Sequence, residues 1–183
     1  MVKLWTRQAP RVLKVLREGK IYKVKKAYVD EKYQESSWSF QIAYGFLIGK
    51  MQQYIQPGEG EESPIWLHGT ALATGGAPDS TLLELDIPEE QCFFMDGRIW
   101  TKVLNLSYIG SDEKDEQRFY AELERQCIAH PSMVFRTSCY PLLKQEIMKS
   151  WDMLLKKPPE ELDHMQAAVW HLEPKWVTKI WEK

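Results

Sequence analysis

The chain is poor in most of the features that specialise a protein. Its 183 residues include only three cysteines, Cys92, Cys127 and Cys139, an odd number with no CxxC spacing. That argues against a disulfide framework and fits a reducing, cytoplasmic setting. The four histidines, His68, His130, His164 and His171, form no HxxxH pair and have no paired cysteines to complete a zinc site. No GxSxG, P-loop or GxGxxG motif occurs. Long apolar runs are absent too. The nearest, residues 42–51, is broken by Gly45, Gly49 and Lys50 and is too short and too polar to span a bilayer. The first five residues lack the apolar segment of a secretory signal, so the reading is a soluble chain.

A strong charge of either sign is also missing. Lys and Arg total 24 against 26 Asp and Glu, for a net charge of −2 and a pI near 6.1. Binders of phosphate backbones need a concentrated positive field. The longest basic run here is Lys23-Val24-Lys25-Lys26, which reads as one exposed strand face. This argues against bulk nucleic-acid binding and leaves room for a small, local nucleotide site. No internal repeat or low-complexity linker divides the chain, so residues 1–183 read as a single globular domain. A chain of this length buries roughly 70% of the surface its unfolded form exposes, enough for a core without staples.

What the sequence does have is aromatics, at 12%, with eight tryptophans. Tryptophan is large and carries an N–H that wants a partner, so it suits cores with polar edges, pockets and interfaces. A Trp-heavy core is the first reading, and an aromatic ligand pocket is the second.

Periodicity predicts a short strand over residues 2–6 and a helix from Pro10 to about Glu18, stopped by Gly19. Ile21, Tyr22 and Val24 suggest a short extended segment. Ser36 or Ser37 can cap a longer helix carrying Trp38, Ile42, Phe46, Leu47, Met51, Tyr54 and Ile55. Gly45 and Gly49, four apart in that helix, suggest close packing against a neighbour. Residues 64–68 read as a strand, and residues 69–80, with Gly75-Gly76 and Pro78-Asp79, as a mobile loop.

Residues 81–87 alternate cleanly, with Leu83, Leu85 and Ile87 on one face and Glu84 and Asp86 on the other. Residues 92–95 look extended, and Asp96 caps a helix bearing Ile99, Trp100, Val103 and Leu104. The acidic residues 111–117 start a helix that runs through Phe119, Leu123 and Cys127 until His130-Pro131 breaks it. Pro141 opens another, with Leu143, Ile147, Trp151 and Leu155 as a buried stripe, ended by residues 156–159. Residues 166–172 form the last strand and residues 174–181 a closing helical turn. The order β-α-β-α-β-β-β-α-α-α-β lacks strict βαβ alternation. It predicts an α+β fold, a small split or mixed, mainly antiparallel sheet with helices clustered beside it.

Few residues suggest chemistry by themselves. Cys139 precedes Pro141 at a helix start, where a thiolate is favoured, although cysteine is also commonly buried. Glu84 and Asp86 share a strand face and can meet a cation or a sugar, but their alternation with apolar residues reads as a solvated face. Gly75-Gly76 lacks the Lys-Ser/Thr and the helix of a phosphate cradle.

Several segments together resemble an uncharacterised bacterial family, a domain of unknown function. They are Leu4-Trp5-Thr6 with Gln8, Gly19, Pro64-Ile65-Trp66, the stretch Leu83-Glu84-Leu85-Asp86-Ile87-Pro88, Asp96 with Trp100, Val103, Leu104 and Asn105, and Gln166-Ala167 with Trp170. In that family Pro-Asp-Leu-Arg often follows the aromatic strand. Here Pro78-Asp79 is followed by Ser80-Thr81, so no arginine ligand comes from that place.

A second resemblance is to small ADP-ribosyltransferase domains. It lies in the short opening strand, the helix ending in Gly, the Leu-Glu-Leu-Asp-Ile-Pro strand and the terminal strand before a helical turn. It implies an NAD site in which Thr6, Arg7 or Gln8 meets ribose or phosphate. Trp66 and His68 would hold nicotinamide, and Gln166 would stand where a glutamate polarises the ribose. An amide brings no negative charge to an oxocarbenium-like centre, so the resemblance implies nucleotide binding, or chemistry relying on another acid. The competing reading is a non-catalytic module whose exposed Trp and Tyr hold a protein partner. Burial separates the two. Convergence of Trp66, His68 and Gln166 on one concavity favours the nucleotide, and tryptophans in the core or on a flat surface favour the partner.

Overall fold

Strand β1 (Val2–Gln8) opens the chain and runs beyond the predicted residues 2–6 to Gln8. The computed structural model describes residues 1–25, 37–76, 79–156 and 159–181. Lys26, Ser36, Pro78 and positions 157–158 of the predicted stop lie outside the described residues. After β1 comes α1 (Pro10–Arg17), with Pro in its first turn and Val12, Leu13 and Leu16 buried. Gly19 ends it at φ +74°, a conformation that glycine adopts without a Cβ penalty. Next come β2 (Tyr22–Lys23), α2 (Ser37–Met51), β3 (Ile65–His68), β4 (Thr81–Ile87) and β5 (Phe93–Asp96). Three helices follow: α3 (Gly97–Leu104), α4 (Glu113–Arg125) and α5 (Pro141–Ser150). The chain closes with β6 (Met165–Val169), β7 (His171–Leu172) and β8 (Val177–Trp181).

Six strands form one antiparallel sheet in the order β5-β6-β3-β1-β4-β8, and β2 pairs with β7 in a small separate sheet. The fold is therefore α+β, mainly antiparallel, with helices beside the sheet. Each face has its own core. Leu4, Ile65, Leu67, Leu83, Leu85, Ile87, Ala167 and Val169 point to one side, where α1 and Trp176 cover them. On the other side Phe93, Met95 and Ala168 meet α2 to α5 through Tyr44, Leu47, Trp100, Phe119 and Ile147. Trp100, Trp151, Trp170 and Trp176 are all buried, whereas Trp181 is 45% exposed. Most of the indole surface thus serves the core. No helix among the described residues is long and apolar enough to cross a membrane.

The cap predicted at Asp96 forms, and the predicted acidic helix start at 111–117 supplies a second. Asp96 accepts from Arg98 N at the start of α3, and Asp112 accepts from Asp115 N at the start of α4. Gly69 is fixed by a close approach, because a Cβ there would lie 2.3 Å from Leu162 O.

Four expectations need correction. Gly45 and Gly49 face solvent, and a Cβ at either would meet nothing within 4 Å, so neither serves close packing. The α5 stripe changes phase. The helix ends at Ser150 and tightens into a 3₁₀ turn over Trp151–Leu155, which buries Leu154 to 1% and leaves Leu155 half-buried. The tighter turn has about three residues per turn, so the inward position arrives one residue early. The predicted strand 166–172 is two strands in different sheets, separated at Trp170, whose Nε1 donates to Ile55 O at 2.8 Å. The closing segment is mostly strand. Pro174–Trp176 makes one 3₁₀ turn, and the β-branched Val177, Thr178 and Ile180 then pair with β4 as β8.

Trp151 is fully buried, stacked on Phe135 at 5.7 Å, and donates from Nε1 to Ser107 O at 2.8 Å. Trp151→Ala should cost roughly 3–5 kcal/mol in denaturant unfolding. A variant that unfolds at the wild-type midpoint would show that this ring does not hold the helical layer.

Candidate functional site

Residues directly opposite one another in an antiparallel pair point to the same face of a sheet. Trp5 on β1 lies opposite His68 on β3 and Glu84 on β4. His68 lies opposite Gln166 on β6, and Gln166 opposite Met95 on β5. Glu84 lies opposite Lys179 on β8. One transverse row therefore reads Lys179, Glu84, Trp5, His68, Gln166, Met95. It lies on the face that α2 to α5 cover only in part. At one end Met95 is fully buried in the helical core, and at the other Lys179 is exposed. Trp5, His68 and Gln166 are half-buried between them, where the helical cover ends.

Arg7 belongs to the same face, two residues along β1 from Trp5. Its Nε donates to Thr74 Oγ1 at 3.2 Å, which ties the strand to the short 3₁₀ turn Leu72–Thr74. That turn occupies part of the loop read as mobile.

The structure brings Arg7, Trp66, His68 and Gln166 onto one sheet face and puts Thr6 and Gln8 on the other. Thr6 is 2% exposed, and its hydroxyl donates to Trp66 O at 2.8 Å. Gln8 Nε2 in turn donates to Thr6 Oγ1 at 2.9 Å. The two side chains satisfy each other and the backbone of β3. Trp66 has the right face, but its ring is used in packing. It stacks on Trp100 at 4.9 Å and donates from Nε1 to Tyr44 OH at 2.9 Å. The aromatic ring at the edge of the cover is instead Trp5, which the functional reading of the sequence left out. Its signal was present in the strand alternation, since Trp5 shares a face with Arg7 and not with Thr6.

His68 and Gln166 interact directly, with Nε2 of the amide 3.4 Å from Nδ1 of the imidazole. Burial lowers His68 below its ordinary value of 6.5, because a charged imidazole is poorly solvated there. Glu84, the carboxylate of the row, is held below the ordinary carboxylate value, first by the hydrogen bond from Lys3 at 2.7 Å. It is thus a partnered charge rather than a bare acid. Asp86 faces the same side, opposite Lys3.

Elsewhere, Cys92 is buried and its thiol is pushed up to about 12, chiefly by desolvation. Cys127 and Cys139 are exposed, free thiols. Among the described residues no three His, Cys, Asp or Glu side chains gather as a metal site would require.

The lowered His68 has a consequence for stability. On unfolding, the imidazole returns toward its ordinary value of 6.5 and binds a proton more readily than in the folded chain. Stability therefore rises with pH across the window between the lowered folded value and 6.5, and it is lost as pH falls through that window. His68→Asn should flatten this part of the profile of unfolding midpoint against pH. Parallel wild-type and variant profiles would show that the ring titrates as it does in water.

Comparison with known proteins adds a family but no activity. No curated protein and no solved structure matches the chain. The family described as Domain of unknown function (DUF3841) matches over residues 3–178, a span from Lys3 on β1 to Thr178 on β8, and the chain belongs to that family.

Proposed function

We propose that the chain binds NAD or a related nucleotide on the half-covered sheet face around Trp5, Arg7, His68 and Gln166. The observation that carries this reading is the meeting of three distant segments on one face. Arg7 comes from β1, His68 from β3 and Gln166 from β6, and these strands are neighbours in the order β6-β3-β1. They are also among the positions to which the ADP-ribosyltransferase resemblance gives ligand roles. In this reading Arg7 offers to a phosphate the guanidinium N–H groups that have no partner among the described residues, and its planar fork is suited to one. Trp5 supplies a ring against which a base or nicotinamide stacks, and His68, backed by Gln166 at 3.4 Å, supplies a hydrogen bond. The small β2-β7 sheet beside the larger one is consistent with a split-sheet, ADP-ribosyltransferase-like organisation.

Binding without group transfer is the form of the proposal. Gln166 contributes a neutral amide where transfer needs a carboxylate, and Glu84 is occupied by Lys3. We also place the protein in the reducing cytoplasm, in keeping with its free thiols. The protein-partner alternative draws on the core placement of Trp100, Trp151, Trp170 and Trp176 and on the exposed Tyr54, Tyr120 and Trp181. What sets the nucleotide reading ahead of it is the meeting of Arg7, His68 and Gln166 on one face.

Calorimetry with NAD, ADP-ribose and AMP tests the proposal. Stacking is worth about 1–3 kcal/mol per base, so Trp5→Ala should weaken the nucleotide that binds by about 5- to 150-fold. Trp66→Ala should instead lower the melting temperature, because it removes a ring packed on Trp100. Absence of heat with all three compounds would sink the nucleotide reading and put the protein-partner module first.

A further inference from the structure

Gln166 presents two different ends to its surroundings. Nε2 lies 3.4 Å from His68 Nδ1, whereas Oε1 is buried and has no hydrogen-bond partner among the described residues. The side chain is confined. A Cβ on Gly97 would lie 3.1 Å from Gln166 Cδ and 3.2 Å from Cγ, so the amide packs closely against the first residue of α3. Met95, fully buried, stands on the neighbouring strand.

An amide nitrogen only donates, so in this arrangement His68 Nδ1 must accept. A neutral imidazole that accepts at Nδ1 carries its proton on Nε2. Turning the amide over would set Oε1 against Nδ1 and bury an NH₂ group in the place of Oε1, leaving two donors without partners instead of one acceptor. Unpaired buried donors are the rarer defect in folded proteins. Desolvation of His68 favours the neutral ring in either case. His68 Nε2 has no partner among the described residues and is not one of the fully buried polar atoms.

We propose that Gln166 is a positioning residue that locks His68 as the neutral tautomer with its proton on Nε2, making the imidazole a hydrogen-bond donor rather than a base. Gly97 is the second part of the device, because its missing side chain is what lets the amide lie there. With Glu84 engaged by Lys3, the donors beside Trp5 are His68 Nε2–H and the guanidinium N–H groups of Arg7 that have no partner among the described residues. The ligand chemistry that fits is an oxygen acceptor, a phosphate or a sugar oxygen, attached to an aromatic ring. That last step rests on the nucleotide reading, whereas the tautomer lock stands without it. A carboxylate at position 166 would reverse the polarity, since it demands a proton on Nδ1 and leaves Nε2 as base or as part of an imidazolium.

Long-range ¹⁵N–¹H correlation spectra of histidine-labelled protein at pH 8 read the tautomer directly. The wild-type chain should show His68 wholly as the Nε2–H form. Gln166→Leu should relax it to a mixture of tautomers, Gln166→Glu should move the proton to Nδ1, and Gly97→Ala should disturb the signal by shifting the amide. ADP-ribose titrated against Gln166→Glu should bind about 10-fold more weakly or worse, as the donor to a ligand oxygen is lost. A wild-type Nδ1–H tautomer, or one untouched by Gln166→Leu, would overturn the lock whatever the chain binds. An Nε2–H tautomer that responds to the substitutions in a protein that binds no nucleotide would support the lock and overturn the nucleotide reading.

Discussion

The phase of β1 governs the rest of the molecule. It is paired with β4 at every residue from Val2 to Gln8 and with β3 at Trp5, so its alternation has no freedom to slide. A slip by one residue would turn Leu4 and Thr6 toward the open face. It would push Lys3, Trp5 and Arg7 among Leu83, Leu85 and Ile87, which are fully buried. Two unpaired cations in that core would cost far more than the sheet gains from pairing. Register therefore fixes both the apolar face and the identity of the residues on the other one.

The second constraint is that the helical layer is smaller than the sheet. Trp66, Trp100 and Tyr44 form an aromatic knot, with Trp66 and Trp100 stacked at 4.9 Å and Tyr44 set edge-on to both. The knot fastens α2 and α3 to β3. Beyond it, toward β4 and β8, the face carries Lys3, Glu84, Asp86 and Lys179, a cross-strand pattern of opposite charges that tolerates water. The half-buried strip between the knot and the charges holds Trp5, Arg7 and His68. Such a strip suits polar recognition because hydrogen bonds there compete with less water than on an open surface.

Elements whose signals were local are legible in the sequence. Strand 81–87 has the predicted bounds, and Asp96 caps α3 as its spacing to Trp100 and Val103 implies. The failures come from tertiary context. Pro174 suggested a helix, but pairing with β4 outweighed one turn of 3₁₀ structure and made residues 177–181 a strand. Glycines four apart looked like a packing face, yet nothing in their spacing says which side of α2 meets the sheet. At the site, His68 and Gln166 were identified from separate segments, and the structure makes them neighbours. Thr6 and Gln8 were grouped with them by the resemblance, although strand geometry sends them to the opposite face. Trp66 was chosen for its ring, while the ring left uncommitted at the edge of the cover, Trp5, is a strand away. Which indole is consumed by packing depends on Trp100 and Tyr44, and no reading of a single strand contains that.

The row across the sheet also shows how one face keeps a carboxylate and a donor site apart. Glu84 and His68 flank Trp5 from opposite strands, each about 5 Å away by the spacing of directly opposed residues. An unpartnered carboxylate at Glu84 would draw a proton onto the imidazole and compete for Arg7. Instead Lys3 holds it at 2.7 Å, Thr178 donates to it at 3.3 Å, and Lys179 stands opposite on β8. With that charge answered locally, the field over Trp5 is set by Arg7, and Gln166 rather than an acid determines the state of His68. The charged outer strands thus contribute by engaging the acid of the row within the sheet, which leaves Arg7 and His68 as the donors beside Trp5.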